Sequence, residues 1–112
     1  MKTTLMKALG EPTRLRIVEI LRTGPLTVGE IANQLEIRQP QASKHLRILS
    51  EAGIVEVEAI ANRRIYKLRQ KPFQEMEAWL TNFQSVWEER FDRLDDYLGK
   101  LQSEKAEQKE KS

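Results

Sequence analysis

The sequence predicts a mainly α-helical fold, a winged helix-turn-helix with a two-stranded β-wing and a long C-terminal helix suited to dimerisation. Three observations predict it. Two short helical patterns are joined by a short connection, as in a helix-turn-helix. The apolar pattern changes to β-branched residues after Gly53, which favours strands. A heptad-like apolar stripe then follows near the C-terminus.

The first part of the chain contains two helices separated by clear breaks. Residues 5–9 suggest a short first helix that ends near Gly10, because glycine is common just past a helix C-terminus. Pro12 suits the first position of the next helix, since its φ is already set and it lacks only an N–H that would be unsatisfied there. The apolar pattern of 15–21 stops at the turn formed by 23–25.

The next two helices form the predicted helix-turn-helix. Thr27 and Glu30 have the spacing of a capping box at the start of the third helix. Residues 36–38 form a tight connection, and the fourth helix runs from about Gln39 to Ala52, with Gly53 as its stop. An ordinary helical hairpin is the alternative for this stretch.

A β-hairpin follows directly. Residues 54–57 are rich in β-branched side chains and residues 65–68 form the expected return strand. Residues 59–64 are suited to the turn, in which Asn62 would tolerate a left-handed conformation. A hairpin placed after a helix-turn-helix is a wing.

Pro72 opens the last helix. Its apolar residues recur at steps of three and four from Phe73 to Leu101, with one stutter between Trp87 and Phe91. The rest of the small domain has little surface left to cover so long a stripe. The stripe therefore predicts a dimer seam, shared with the first helix. Packing on its own domain is the alternative. The predicted dimerisation residues are Leu5, Leu9, Leu80, Phe83, Trp87, Phe91, Leu94 and Leu98.

Residues 1–101 are expected to form one domain for DNA binding and dimerisation. Residues 102–112 contain lysine, glutamate and glutamine but no apolar residue larger than alanine. This composition predicts a frayed or disordered charged tail.

Charge is distributed unevenly along the chain of 112 residues. Residues 1–70 carry 12 basic and 7 acidic side chains, whereas residues 71–112 carry 7 basic and 10 acidic ones. The basic part is suited to a polyanion, although chance is the alternative explanation.

Several function classes are disfavoured by what the sequence lacks. The chain has no cysteine and one histidine, His45, so we expect no metal site and no cofactor. No nucleophile-and-base arrangement or phosphate loop suggests an enzyme. The sequence has no export signal and no span for a bilayer, so we expect a cytoplasmic protein without a membrane partner.

The exposed face of the fourth helix is the candidate nucleic-acid site. Glutamine can bond an adenine edge in two places and arginine a guanine edge, while lysine and serine can hold phosphates. Paired arginines on a wing can reach phosphates or a narrow minor groove. A solvated surface face and a solubilising turn are the alternatives. The predicted DNA-binding residues are Gln39, Gln41, Ser43, Lys44, His45, Arg47, Arg63 and Arg64.

These segments together resemble the ArsR-type winged-helix repressors. The residues that carry the resemblance are LMKALGEPTRLRI at 5–17, QPQASKHLRIL at 39–49 and EAGIV at 51–55, continued by the wing and 65–68. The resemblance covers roughly residues 3–101. It implies a homodimer that binds an inverted-repeat operator, with Ser43 and its neighbours in the major groove.

The metal-sensing part of the family pattern is missing. The resemblance implies sensor cysteines in the third helix, or histidines with carboxylates on the last helix, and this chain has neither. The last helix, with Trp79, Leu80, Phe83 and 87–90, is more similar to a metal-independent subgroup of autorepressors. The expected function is therefore a homodimeric repressor of its own or an adjacent operon. A protein-interaction module, or a repressor responsive to a metal or ligand bound by carboxylates, is the alternative.

Overall fold

The computed structural model describes residues 2–111, and their side chains as far as residue 104. Two compact units are present, Met1–Met76 and Glu77–Ser112. The elements in chain order are α1 (Thr3–Leu9), α2 (Pro12–Leu21), β1 (Leu26–Thr27), α3 (Val28–Leu35), α4 (Gln39–Glu51), β2 (Val55–Ile60), β3 (Arg63–Leu68) and α5 (Gln70–Lys111).

Local capping interactions define the first two helices. The Gly10 N–H donates to the Met6 carbonyl at 2.8 Å, which closes α1. Pro12 opens α2 as predicted, and the Glu11 carboxylate caps it by accepting from the Arg14 N–H at 2.8 Å. The Arg14 Nε donates to the Ala8 carbonyl at 2.7 Å, so the start of α2 is bound to the end of α1.

The helix-turn-helix is present as α3 and α4. The predicted capping box is confirmed, because the Thr27 hydroxyl accepts from the Glu30 N–H at 3.2 Å and the Glu30 carboxylate accepts from the Thr27 N–H at 3.0 Å. Glu36 ends α3 in the left-handed conformation, with φ 56°. Gly53 follows α4 at φ 76°, a conformation that glycine adopts at little steric cost.

The sheet has three strands rather than the predicted two. The wing hairpin pairs β2 with β3 antiparallel, from Val55 opposite Leu68 to Ile60 opposite Arg63. The short strand β1 adds to the other edge of β3, with Leu26 opposite Tyr66. Two residues between apolar helices carry too little pattern to indicate a strand.

The wing turn also differs in detail from the prediction. Ala61 takes the positive φ of 55°, and Asn62 does not have a positive φ. Because β2 and β3 pair up to Ile60 opposite Arg63, only two residues are left for the loop. Ala61 is the first of these two. The register of the strands therefore gives the positive φ to Ala61, although asparagine tolerates that conformation better.

The core lies in the first unit and draws on α1 to α4 and the sheet. Ile17 of α2, Ile31 of α3, Leu46 and Leu49 of α4, and Ile54 after it are fully enclosed. Burial of each such side chain contributes about 1.5–3 kcal/mol. The core therefore fixes α4 through one face and leaves its other face in solvent.

The last helix, α5, begins at Gln70, two residues before the predicted Pro72. It continues to Lys111, in a segment whose lysine, glutamate, glutamine and alanine are strong helix formers. The frayed or disordered charged tail expected at 102–112 stays a prediction. Ser112 lies outside the described residues, and the boundary proposed at residue 101 stays a prediction. Within the described residues, no helix combines the length and apolarity needed to cross a bilayer.

Candidate nucleic-acid interface

The helix α4 has one buried face and one exposed face. Ala42, Leu46 and Leu49 are completely buried in the core. At 100° per residue, Lys44 and Arg47 point to the opposite side, and both are exposed. The backbone packing therefore presents the predicted cations outward.

The start of α4 is held by its own glutamine and by the preceding helix. The Gln41 Oε1 accepts from the Arg38 N–H at 3.3 Å, so Gln41 caps its own helix. A Cβ built on Gly29 of α3 would lie 3.1 Å from the Gln39 Nε2. Glycine at this position allows the Gln39 side chain to approach α3 closely.

Arg47 is paired within its own helix. Its Nε lies 3.1 Å from the Glu51 Oε1, one turn further along. Both side chains are largely exposed, so the pair is accessible from solvent. Glu51 was not among the residues predicted to bind DNA.

His45 lies at the junction of α4 with α2 rather than on the outward face. Its Nδ1 is 3.6 Å from the Glu11 Oε2, is buried and has no hydrogen-bond partner among the described residues. The hydrogen bond from the Arg14 N–H lowers the pKa of Glu11, and nearby His45 lowers it further to a smaller extent. The geometry gives His45 a contact with the cap of α2.

A cleft of about 470 Å³ joins the start of α3 to Gln39 and the wing tip. It is lined by Thr27, Val28, Gly29, Glu30, Asn33, Gln39, Asn62, Arg63 and Arg64. Three of the predicted DNA-binding residues therefore meet here. Asn33 and Asn62 were not predicted as lining residues, since a lone polar residue in a helix or turn gives no functional signal. Backbone and side-chain hydrogen bonds with Thr27 lower the pKa of Glu30, and the nearby charge of Arg63 adds to this.

The apolar stripe of the second unit is exposed in the single chain. Leu80, Phe83, Trp87, Phe91, Leu94 and Leu98 are each 45 to 59% exposed. Trp79 packs edge to face on Phe83 at 4.7 Å between ring centroids. In the first unit, Leu5 is buried in the core and Leu9 packs against it, so Leu5 has little surface to offer a partner. Met6 is the exposed large apolar residue of α1.

Carboxylates and the single histidine do not converge as metal ligands. In the part of the chain that the structure describes, no group of three or more such side chains could hold a metal ion. Asp95 and Asp96 line only a shallow surface depression with Lys100 and Glu104.

Comparison with known proteins gives consistent relatives. Residues 9–58 match the model of a helix-turn-helix domain. The chain is 33% identical over 79 residues to the transcriptional repressor SdpR of Bacillus subtilis, a match that covers 70% of this chain and 88% of that protein. Two further curated relatives, at 44 and 42% identity, are matched over 58 and 55% of their own length.

Solved structures give the same family. The crystal structure of an ArsR-family transcriptional regulator superposes with a TM-score of 0.68 at 31% identity, over 77% of this chain and 94% of that one. A homodimeric winged helix-turn-helix DNA-binding domain from Mycobacterium bovis superposes with a TM-score of 0.63 at 25% identity, over 74 and 77% of the two chains. These relatives are regulators of transcription and not enzymes. The chain belongs to the ArsR family of winged helix-turn-helix, DNA-binding transcriptional regulators.

Proposed function

We propose that this chain is a homodimeric transcriptional repressor that binds an inverted-repeat operator at its own or an adjacent operon. The observation that carries the proposal is the exposed face of α4, which presents Lys44 and Arg47 outward while Leu46 and Leu49 anchor the helix in the core. The SdpR relative is named a repressor, which supports repression rather than activation of transcription.

The assignment of contacts follows from side-chain chemistry. Arg47 is suited to a guanine edge in the major groove, and Gln41 to an adenine edge if it releases the Arg38 N–H. Lys44, Ser43 and Gln39 are suited to phosphates, which orient a protein without reading sequence.

The wing and His45 complete the proposed surface. Arg63 and Arg64 begin β3 at the tip of the hairpin, where they can reach phosphates or the minor groove. His45 is partly exposed and in contact with Glu11, so its proposed contribution is at most a phosphate contact made from the edge of the helix.

The homodimer is proposed to form through α5. A stripe of six large apolar residues that are about half exposed is more than a monomer usually leaves in water. The heptad-like spacing suits the same helix of a second copy. The homodimeric relative from Mycobacterium bovis supports this occupant. On α1, Met6 is exposed whereas Leu5 is buried, so any contribution of α1 to a dimer would come from Met6.

The regulatory part of the proposal concerns the absence of a thiol-based sensor. The full sequence has no cysteine, so derepression through a cysteine-bound metal is ruled out for these 112 residues. We place the protein in the cytoplasm, where the operator is. The alternative function, a protein-interaction module, is distinguished by the experiment below.

A mobility-shift titration on DNA from upstream of its own gene tests the proposal. Specific regulators of this kind bind with Kd values on the order of 10⁻⁸–10⁻¹¹ M. Replacement of both Lys44 and Arg47 by glutamate should abolish the shift, whereas Glu19→Gln on the exposed side of α2 is the matched surface control. Binding that shows no sequence preference, or that survives both reversals, would contradict the proposal, and the absence of any shift would favour the interaction module.

A further inference from the structure

The Arg47–Glu51 pair has a specific geometry. The Glu51 Oε1 accepts from the Nε of the guanidinium at 3.1 Å. An arginine has five N–H donors in a planar fork, and only one of them belongs to Nε. Contact at Nε therefore leaves the two terminal nitrogens, Nη1 and Nη2, free to point along the axis of the side chain.

Those two nitrogens are the ones that suit a guanine. The O6 and N7 atoms of guanine accept two parallel N–H bonds from one arginine in the major groove. A carboxylate that holds Nε fixes the plane of the fork and restricts its rotation. The guanidinium is then biased toward this orientation before DNA binds, so less rotamer freedom is lost on binding.

The position of the pair on the helix supports this role. Residues 44, 47 and 51 lie on one face of α4, opposite the buried Leu46 and Leu49. An exposed pair four residues apart contributes only about 0.3–0.5 kcal/mol to helix stability, so stabilising the fold is a weak reason for it. DNA that covers this face would exclude water and strengthen the bond between the two side chains.

The negative charge of Glu51 argues against a simpler electrostatic benefit. A carboxylate on a surface that faces phosphates opposes binding through its charge. Glu51 therefore costs affinity for every DNA sequence, and any benefit must lie in discrimination between sequences.

We infer that Glu51 is a positioning residue that holds Arg47 with its Nη edge outward, and so sets selectivity for one guanine in each half-site. The inference rests on the proposed function, in which Arg47 reads a base. Glu51 lowers the affinity for non-cognate DNA while it sharpens the preference for the cognate base pair.

The test uses the full-length protein and duplexes selected by the wild-type protein from a randomised 20-base-pair library. Each base pair of the selected site is then replaced in turn, and binding is measured by fluorescence anisotropy for the wild type, Arg47→Ala, Glu51→Ala and Glu51→Gln. Glu36→Ala is the matched control, because Glu36 is an exposed acid in the connection before α4. Circular dichroism verifies that each variant is folded.

In the wild type, replacing the guanine that Arg47 reads is expected to cost about 5- to 150-fold in affinity. Arg47→Ala should remove that preference, and Glu51→Ala should reduce it at least threefold at the same base pair while raising affinity for non-cognate duplexes. Glu51→Gln should retain more of the preference than Glu51→Ala, since its amide oxygen can still accept from Nε. A purely electrostatic role would instead make the two Glu51 variants equal.

Two results would overturn the inference, and they can be told apart. If Arg47→Ala removes the preference but Glu51→Ala leaves it intact, or acts no differently from Glu36→Ala, Glu51 does not position Arg47 and the proposed function stands. If Arg47→Ala changes no single base-pair preference, the base contact proposed for Arg47 fails and the inference fails with it.

Discussion

Glu11 connects two helices, α2 and α4, through one carboxylate, and its removal should destabilise the first unit. Its Oε2 caps α2 by accepting from the Arg14 N–H at 2.8 Å and lies 3.6 Å from the Nδ1 of His45 in α4. Loss of a helix N-cap costs about 1 kcal/mol, with a range of roughly 0.5–2 kcal/mol. Glu11→Ala should therefore lower stability by about 1 kcal/mol at pH 7, a fall in Tm of roughly 4–8 °C for a unit of this size.

The same variant predicts how stability depends on pH. The pKa of Glu11 is lowered in the folded state, chiefly by the Arg14 N–H, from an ordinary value of 4.5. The ionised carboxylate therefore stabilises the fold fully above that ordinary value, and the contribution is lost as the pH falls through the lowered pKa. The difference between the wild type and Glu11→Ala should be largest near neutral pH and should shrink below about pH 4.

Thermal unfolding is followed by the helical circular dichroism signal at about 222 nm. Repeated across a series of pH values, it measures both effects. Glu19→Gln, an exposed acid on the same helix, is the control and should leave Tm nearly unchanged. Equal Tm values for the wild type and Glu11→Ala at pH 7 would show that the Glu11 cap does not stabilise the fold. A difference that stays constant down to pH 3 would show that the ionised carboxylate is not what stabilises α2.

Four further predictions follow from other parts of the chain. Leu49→Ala removes a fully buried side chain and should cost about 2–5 kcal/mol in a urea titration. Leu94→Glu should shift the molecular mass measured by light scattering from dimer to monomer, because a charge would enter the proposed seam. Lys44→Ala should weaken binding to all DNA sequences alike and lower the salt dependence by about one ion, whereas Arg47→Ala should relax sequence preference. Ala61→Gly should raise Tm slightly, since glycine avoids the steric cost of φ 55°, and no change or a fall would contradict the strain.

Several helix boundaries in the first unit were predictable because their signals are local. The Thr27 and Glu30 pair caps α3 across three residues, and Pro12 opens α2 by its own ring geometry. Gly53 ends α4 with a positive φ that its lack of a Cβ permits. Interactions over three or four residues leave a pattern in the sequence, whatever the rest of the chain does.

Contacts between residues far apart in sequence left no such pattern. The pairing of Leu26 with Tyr66 adds β1 to the wing, and neither residue indicates the other. The contact of Glu11 with His45 likewise joins two helices that only the packed core brings together. Leu5 shows the same limit, because its spacing suited a dimer seam and its burial in the core depends on its neighbours.

The candidate site divides in the same way. The exposed cations of α4 follow from helical periodicity, so Lys44 and Arg47 could be assigned without coordinates. The cleft that joins Gln39 to Arg63 could not be assigned, because it needs the wing to fold back beside α3.

By itself the sequence determined the order of the helices, the capping box of α3, the outward face of α4 and the apolar stripe of α5, since each depends on periodicity or on neighbours within one turn. Only the tertiary structure decided the third strand, the turn residue Ala61, the burial of Leu5 and the contact of His45 with Glu11. These depend on which surfaces meet when the core closes, and apolar burial is non-directional, so composition alone does not specify the partners.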